Sequence, residues 1–288
     1  MIAHVLTIAG TDPSGGAGIS ADLKTFSALG VYGMAAITAV VAQNTVGVRS
    51  FQALNPDFVA DQIDAVFDDV RVDAVKVGMV ATAGIAEAVA ACLRKHPECP
   101  VVLDPVMVAK SGDLLLESDA IAAIRDKLVP ISTLITPNLK EAGVLLDREA
   151  PATVDAMKAV LPDLSALGPQ WVLLKGGNLS GNDPVDFLCG QGRVFPLHAP
   201  RIDTVNVHGT GCTLSAAIAA LMTRMPLPES VRCAKRYLTK ALAESGKLNV
   251  GHGHGPVHHF HAMWKPEHDE KENRIGPDNQ SLPSDQTT

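Results

Sequence analysis

Aromatic side chains are scarce in this sequence, with Phe, Tyr and Trp making up 4% of 288 residues. So thin a supply argues against the stacking platforms on which single-stranded nucleic-acid binders rely. Positive charge is also short: 24 Lys and Arg face 31 Asp and Glu, for a formal net charge of −7. A polyanion partner needs a strong basic surface, so no nucleic-acid partner is expected, while a local pocket for a small phosphate stays open. The five cysteines, Cys92, Cys99, Cys189, Cys212 and Cys233, are odd in number and widely spaced, without the short pairs of a zinc site. They read as free thiols in a reducing compartment. The start of the chain lacks a basic n-region and a cleavage pattern, so no signal peptide is expected. The apolar runs are too short or too interrupted to span a membrane. A cytoplasmic protein without a membrane partner is the expectation.

Apolar residues are plentiful, at 47% against 19% charged, which suits a buried core. Short apolar runs occur at 4–9, 34–42, 74–77, 100–104, 132–135 and 171–174. Between them, segments such as 57–69 and 84–94 repeat apolar residues every three to four positions. Strands buried on both faces and separated by amphipathic helices predict an α/β fold, a mostly parallel sheet covered by helices. Segments 185–188 and 193–197 lie close enough to form an antiparallel hairpin at one edge. No Pro/Ser-rich linker interrupts residues 1–260 and no internal repeat is present, so residues 1–264 read as one domain. Residues 265–288 are charged, Pro-containing and nearly free of apolar side chains, and are expected to be a disordered tail.

In an open parallel sheet, ligands bind beyond the carboxyl ends of the strands. Four polar segments follow strand-like runs. In the first, Gly10 to Gly18, the stretch Gly16-Ala17-Gly18-Ile19-Ser20-Ala21 fits a dinucleotide fingerprint, but Ala36-Ile37-Thr38-Ala39-Val40 stands where that fingerprint needs an acidic residue. The P-loop pattern also fails, because no Gly-Lys-Ser/Thr follows. The segment is either a turn capping the next helix or a ligand loop. In the second, Val207-His208-Gly209-Thr210-Gly211-Cys212-Thr213 opens an alanine-rich helix. Glycines admit close approach, and first-turn N–H groups form an anion site suited to a moving phosphoryl group. Cys212 falls in that first turn, where a thiol's pKa tends to drop.

The third segment, Thr136-Pro137-Asn138-Leu139-Lys140-Glu141, places Asn138 and Glu141 on one face of a helical turn. The pair is either a capping box or a set of oxygen ligands near metal and phosphate, and spacing alone does not choose. The fourth comprises Asp104 and Lys175, each ending an apolar run, and Gly176-Gly177. A carboxylate at one strand end and an ammonium at another would suit a magnesium ion and a phosphate, although a helix cap and a snorkelling lysine would use the same residues.

These segments, taken with Val41-Ala42-Gln43-Asn44-Thr45 and the ending Gly255-Pro256-Val257-His258-His259-Phe260-His261, resemble the hydroxymethylpyrimidine/phosphomethylpyrimidine kinases of thiamine biosynthesis. That family belongs to the ribokinase-like superfamily, and the likeness runs in order from about residue 4 to Trp264. The resemblance implies a three-layer α/β/α fold and a homodimer. It also implies ATP- and Mg2+-dependent phosphorylation of 4-amino-5-hydroxymethyl-2-methylpyrimidine, then of its monophosphate. Carried onto matching positions, it implies a pyrimidine site containing Gly10, Asp22, Gln43, Met79, Val106 and Cys212. The nucleotide side would use Asn138, Glu141, Lys175 and Lys235, with Asp104 and Glu141 holding Mg2+ directly or through water. Many superfamily relatives carry Asp as the last residue of the glycine loop, where it acts as base. Cys212 stands there in this chain, so it is expected to assist removal of the hydroxyl proton while the N–H groups of Gly209, Thr210, Gly211 and Cys212 steady the phosphoryl group. The histidines at 252, 254, 258, 259 and 261 are read as a structural closing segment rather than a metal site. Two other readings stand beside this one: a pyridoxal-type vitamin kinase, and a non-catalytic pyrimidine-binding module on the same fold.

Overall fold

Continuous apolar runs bounded by polar residues form the centre of the structure. The computed structural model describes residues 1–107, 116–177, 179 and 185–264, and the expected tail at 265–288 lies outside them. Six strands run parallel: β1 (His4–Ala9), β2 (Tyr32–Ile37), β5 (Ala74–Val77), β6 (Val101–Leu103), β7 (Leu134–Ile135) and β8 (Trp171–Leu174). Two more, β9 (Val185–Gly190) and β10 (Arg193–His198), complete the sheet in the order β10-β9-β8-β7-β6-β5-β1-β2. These two form the expected antiparallel edge hairpin. Gln191 (φ 52°) and Gly192 (φ 71°) turn it, and two positive φ angles match the right-handed strand twist.

Alternate strand residues point to opposite faces and meet different helices. Leu6, Ile8, Val75 and Val77 pack against α2 (Pro56–Asp69), α3 (Ala83–Leu93), α4 (Ser118–Ala123), α5 (Leu139–Leu145) and α6 (Val154–Ala166). On the other face, Val5, Val102, Leu134 and Leu173 pack with α1 (Gly18–Ala28), α7 (Thr210–Met222) and α8 (Leu227–Ala243). The result is the three-layer α/β/α arrangement implied by the resemblance. In α7 every residue from Thr213 to Leu221 is buried. Its small side chains let it lie between the sheet, α1 and α8, so it presents no solvent face. Caps set several helix starts: the Asn55 side chain accepts from Asp57 N ahead of α2, and Thr153 does the same for Ala156 N ahead of α6.

The run at 34–42 is not one strand. β2 ends at Ile37, Thr38 donates its hydroxyl to the Met79 carbonyl at 2.6 Å, and β3 (Ala39–Gln43) leaves the sheet. It pairs instead with β4 (Val48–Ala53), forming a separate two-stranded flap. β4 was not among the expected strands, and five of its six residues are exposed. Among the described residues, no helix is long and apolar enough to cross a membrane.

Candidate active site

The parallel strands deliver their polar residues to one end of the sheet. There the glycine turn after β1, Met79 after β5, Asp104 after β6, Asn138 after β7 and Lys175 after β8 surround the start of α7. Asp104 is buried and central. Its Oδ1 accepts from Lys175 Nζ and Thr136 Oγ1, both at 3.0 Å, and its Oδ2 accepts from Ser215 Oγ at 3.3 Å. Burial opposes its ionisation, but Lys175 and Lys76 outweigh this and hold the carboxyl below its usual range. Burial likewise opposes the Lys175 ammonium, yet Asp104 and Glu141 raise its pKa above that of an ordinary lysine.

The glycine loop at α7 closes over this ion pair. A Cβ added at Gly211 would lie 3.3 Å from Asp104 Oδ2 and 3.5 Å from Lys175 Nζ. Gly209 caps the helix at φ 74°, and a Cβ there would stand 1.7 Å from the Gly16 carbonyl oxygen. No other residue fits that position. Thr210, Gly211 and Cys212 therefore begin the helix with first-turn N–H groups beside the Asp104–Lys175 pair.

The Cys212 thiol departs from expectation. It sits at the third helical position, but burial pushes its pKa up to about 11 despite the pull of Lys76 and a hydrogen bond from the Gly18 backbone. Loss of solvation overrides the helix terminus, and the thiol keeps its proton at neutral pH.

Asp22, expected among the pyrimidine contacts, is fully buried. Its Oδ2 accepts from Lys76 Nζ at 2.8 Å and from Thr7 Oγ1 at 2.6 Å, while its Oδ1 has no partner. Burial lifts the Asp22 carboxyl above its usual range even beside Lys76. Burial also works against the Lys76 ammonium, but the Asp22 carboxylate outweighs it and keeps that lysine charged. Met79, Gln43 and Val106 are half-buried. A Cβ at Gly10 would lie 3.5 Å from Met79 Sδ and 3.6 Å from Val41 Cγ2, so the turn, Met79 and the flap share one wall. Gln43 stands near Asp12, at the edge of the same centre.

Asn138 and Glu141 form a complete capping box, with Glu141 N donating to Asn138 Oδ1 at 3.0 Å and Asn138 N to Glu141 Oε2 at 2.8 Å. Glu141 is also buried close to Lys175 and Asp104, and burial pushes its pKa up to about 7. Lys235 stands further out, paired with Asp186, whose Oδ1 accepts from Gly176 N at 2.8 Å. With Arg232, Arg236, Lys240 and His198, Lys235 lines a cavity of about 470 Å³. A larger, mostly apolar cavity of about 790 Å³ between α6 and the edge hairpin contains none of the expected site residues. Sequence reasoning missed Lys76, Thr136, Asp186 and Ser215 and assigned no role to Asp12 or His208. A lysine inside the buried strand Ala74–Val77 was the one signal available for Lys76.

Comparison with known proteins identifies the family. The family model described as phosphomethylpyrimidine kinase matches residues 12–258. The chain is 55% identical over 262 residues to the hydroxymethylpyrimidine/phosphomethylpyrimidine kinase of Salmonella typhimurium, covering 91% of this chain and 98% of that one. Among solved structures, the phosphomethylpyrimidine kinase of Clostridium difficile superposes with a TM-score of 0.75 at 42% identity, covering 83% of this chain and 99% of that one. The ADP complex of Bacillus subtilis pyridoxal kinase gives a TM-score of 0.85 at 37% identity, covering 92% and 100%. A glycine-started helix over a buried Lys–Asp pair, on a sheet of this order and with matches across nearly the whole length, leads to one assignment: the chain belongs to the phosphomethylpyrimidine kinase family.

Proposed function

We propose that this protein phosphorylates 4-amino-5-hydroxymethyl-2-methylpyrimidine with ATP and then phosphorylates the monophosphate, giving the diphosphate used to build thiamine diphosphate. The observation that carries the reading is the placement of Gly211 against Asp104 and Lys175. It sets first-turn N–H donors and a charged ammonium around one point, as a transferring phosphoryl group requires.

In this reading Gly10, Met79, Val106 and Gln43 hold the pyrimidine, with Asp22 supporting them from behind. Asn138, Lys175 and Lys235 bind the nucleotide. The substrate oxygen attacks the terminal phosphorus and the new O–P bond forms as the bond to ADP breaks. In the first step the hydroxyl proton passes to water or a phosphate oxygen, and in the second a phosphate oxygen of the monophosphate attacks. The N–H groups of Gly209 to Cys212 stabilise the charge on the moving group. A base role for Cys212 requires its thiolate, which burial opposes, so positioning and charge stabilisation carry the larger share. Asp104 and Glu141 fit a magnesium ion. They are hard oxygen donors buried together, and burial with the neighbouring Asp104 carboxylate lifts Glu141 to about 7, a cost that a bound cation would offset. When bound there, Mg2+ would neutralise phosphate charge. A cytoplasmic homodimer completes the reading, and the exposed apolar side chains Val40, Val46, Val48 and Phe51 of the flap offer a surface for it.

The likeness to pyridoxal kinases supports a second substrate class, flat heterocycles that also carry a hydroxymethyl group. Purified protein incubated with ATP and Mg2+ and offered the pyrimidine, pyridoxal or pyridoxine, with products weighed by mass spectrometry, tests both. The expected result is a mono- and then a diphosphate of the pyrimidine. Product from pyridoxal alone would favour the second reading, and no product from any of the three would leave only a binding module.

A further inference from the structure

Asp12 is the most heavily bonded carboxylate near the site, and the phosphotransfer reading gives it no task. It is 1% exposed. Its Oδ1 accepts from Ser14 N at 2.8 Å and Ser14 Oγ at 2.7 Å. Its Oδ2 accepts from Gly16 N at 3.1 Å, Ala17 N at 2.7 Å and His208 Nε2 at 2.7 Å. The first four bonds fold the glycine turn after β1. The fifth reaches 196 residues along the chain, to the residue immediately before Gly209.

The two segments so joined lie in close contact, the His208 ring and the Gly209 backbone both against Gly16. A Cβ at Gly16 would fall 2.4 Å from His208 Cδ2, and one at Gly209 would fall 1.7 Å from the Gly16 oxygen. On its other side His208 is tied by its backbone N–H to the Gly255 carbonyl at 3.0 Å. Three pieces of chain therefore meet at His208, and the Asp12 bond is the side-chain link fixing the turn relative to the start of α7. A carboxylate only accepts, so the bond requires a proton on His208 Nε2, which sets the ring orientation.

We propose that Asp12 and His208 are positioning residues that hold the N–H groups of Gly209 to Cys212 in register with the glycine turn and the substrate it borders. This rests on the phosphotransfer reading above. Neither side chain touches the reacting atoms; they act through the backbone they hold. Preorganised donors lose their value steeply with displacement, and a shift of ~1 Å costs on the order of 100-fold in rate. The expected contacts to pyrimidine and nucleotide come mostly from strand ends that this link does not hold. Losing the link therefore slows the chemical step and leaves binding largely intact.

The test compares His208→Gln, whose amide can reach Asp12, with His208→Asn, which is one methylene too short. Single-turnover rates are measured by rapid quench, with KM for ATP and pyrimidine, on variants whose melting confirms folding. His208→Gln should keep at least about a third of the wild-type rate. His208→Asn should fall by about 10-fold or more, with both KM values within about threefold. Asp12→Asn should fall similarly, and the double variant Asp12→Asn/His208→Asn little further, as for two halves of one link. If His208→Asn does not fold, Asp12→Asn decides alone on the same criterion. A wild-type rate in His208→Asn, equal losses in both His208 variants, or a loss confined to KM would overturn the proposal. A wild-type protein that phosphorylates no pyrimidine would instead overturn the reading beneath it.

Discussion

His259 braces the helix that starts the anion loop, and it does so as a neutral ring. It is buried, with Nε2 3.1 Å from Thr213 Oγ1, next in sequence to Cys212, and its carbonyl accepts from Tyr237 Oη at 2.7 Å. Burial, with the nearby charges of Lys24, His258 and His261, pushes its pKa down to about 3. A histidine whose folded pKa is depressed stabilises the fold above its unfolded pKa and loses that contribution as pH falls toward the folded value. With an unfolded pKa of about 6.5, the loss begins near pH 6.5 and amounts to about 2 kcal/mol between pH 7 and pH 5. For a domain of this size, 2 kcal/mol corresponds to about 4–8 °C in melting temperature.

His259→Gln removes the titrating group and keeps an amide able to meet Thr213. Melting followed by circular dichroism at pH 7 and pH 5 should show the wild type falling further than the variant by about 4–8 °C. Every other titrating group is common to both proteins and cancels in the difference. Equal losses in the two proteins would mean that His259 is not held neutral, and the reasoning from burial would be wrong.

Two further outcomes follow from the buried charges. Lys76→Met strands the Asp22 carboxylate without its counter-charge, and urea unfolding should show a loss of about 3–5 kcal/mol. Asp22→Leu with Lys76→Met should recover most of it; a loss under about 1 kcal/mol in the single variant, or no recovery in the double, would contradict an ionised pair. The raised pKa of Cys212 leaves roughly 100-fold less thiolate at pH 7 than an ordinary thiol has, so iodoacetamide should label Cys212 far more slowly than a small free thiol, as followed by peptide mass. Equal labelling rates would restore a thiolate, and with it a stronger case for Cys212 as base.

What the sequence made legible was local. The limits of β1, β5 and β8 match the apolar runs at 4–9, 74–77 and 171–174, because each strand is buried on both faces and its pattern needs no partner to be read. The flap was not legible, since β4 is mostly exposed and β3 continues the apolar run of β2 without a break. The long-range side-chain pairs were hidden for another reason: Lys76 meets Asp22 across 54 residues and His208 meets Asp12 across 196, and no spacing rule spans such gaps. Cys212 shows a local rule losing to a tertiary one, as burial in the folded site cancels what a helix terminus does for a thiol.

Asn138 and Glu141 show why the sequence left two readings open, and why both describe the structure. Their reciprocal bonds start α5 as a capping box should, and this fixes the backbone that carries Glu141. The same bonds hold a carboxylate buried beside Lys175 and Asp104, where burial raises its pKa against the pull of Lys175. A cap made by Thr or Ser would start the helix equally well, and nothing about capping requires a buried acid at its third position. Burial of Glu141 costs stability that the cap alone does not explain. A magnesium ion bound there with the nucleotide would offset that cost, so the element that builds the helix also prepares the site.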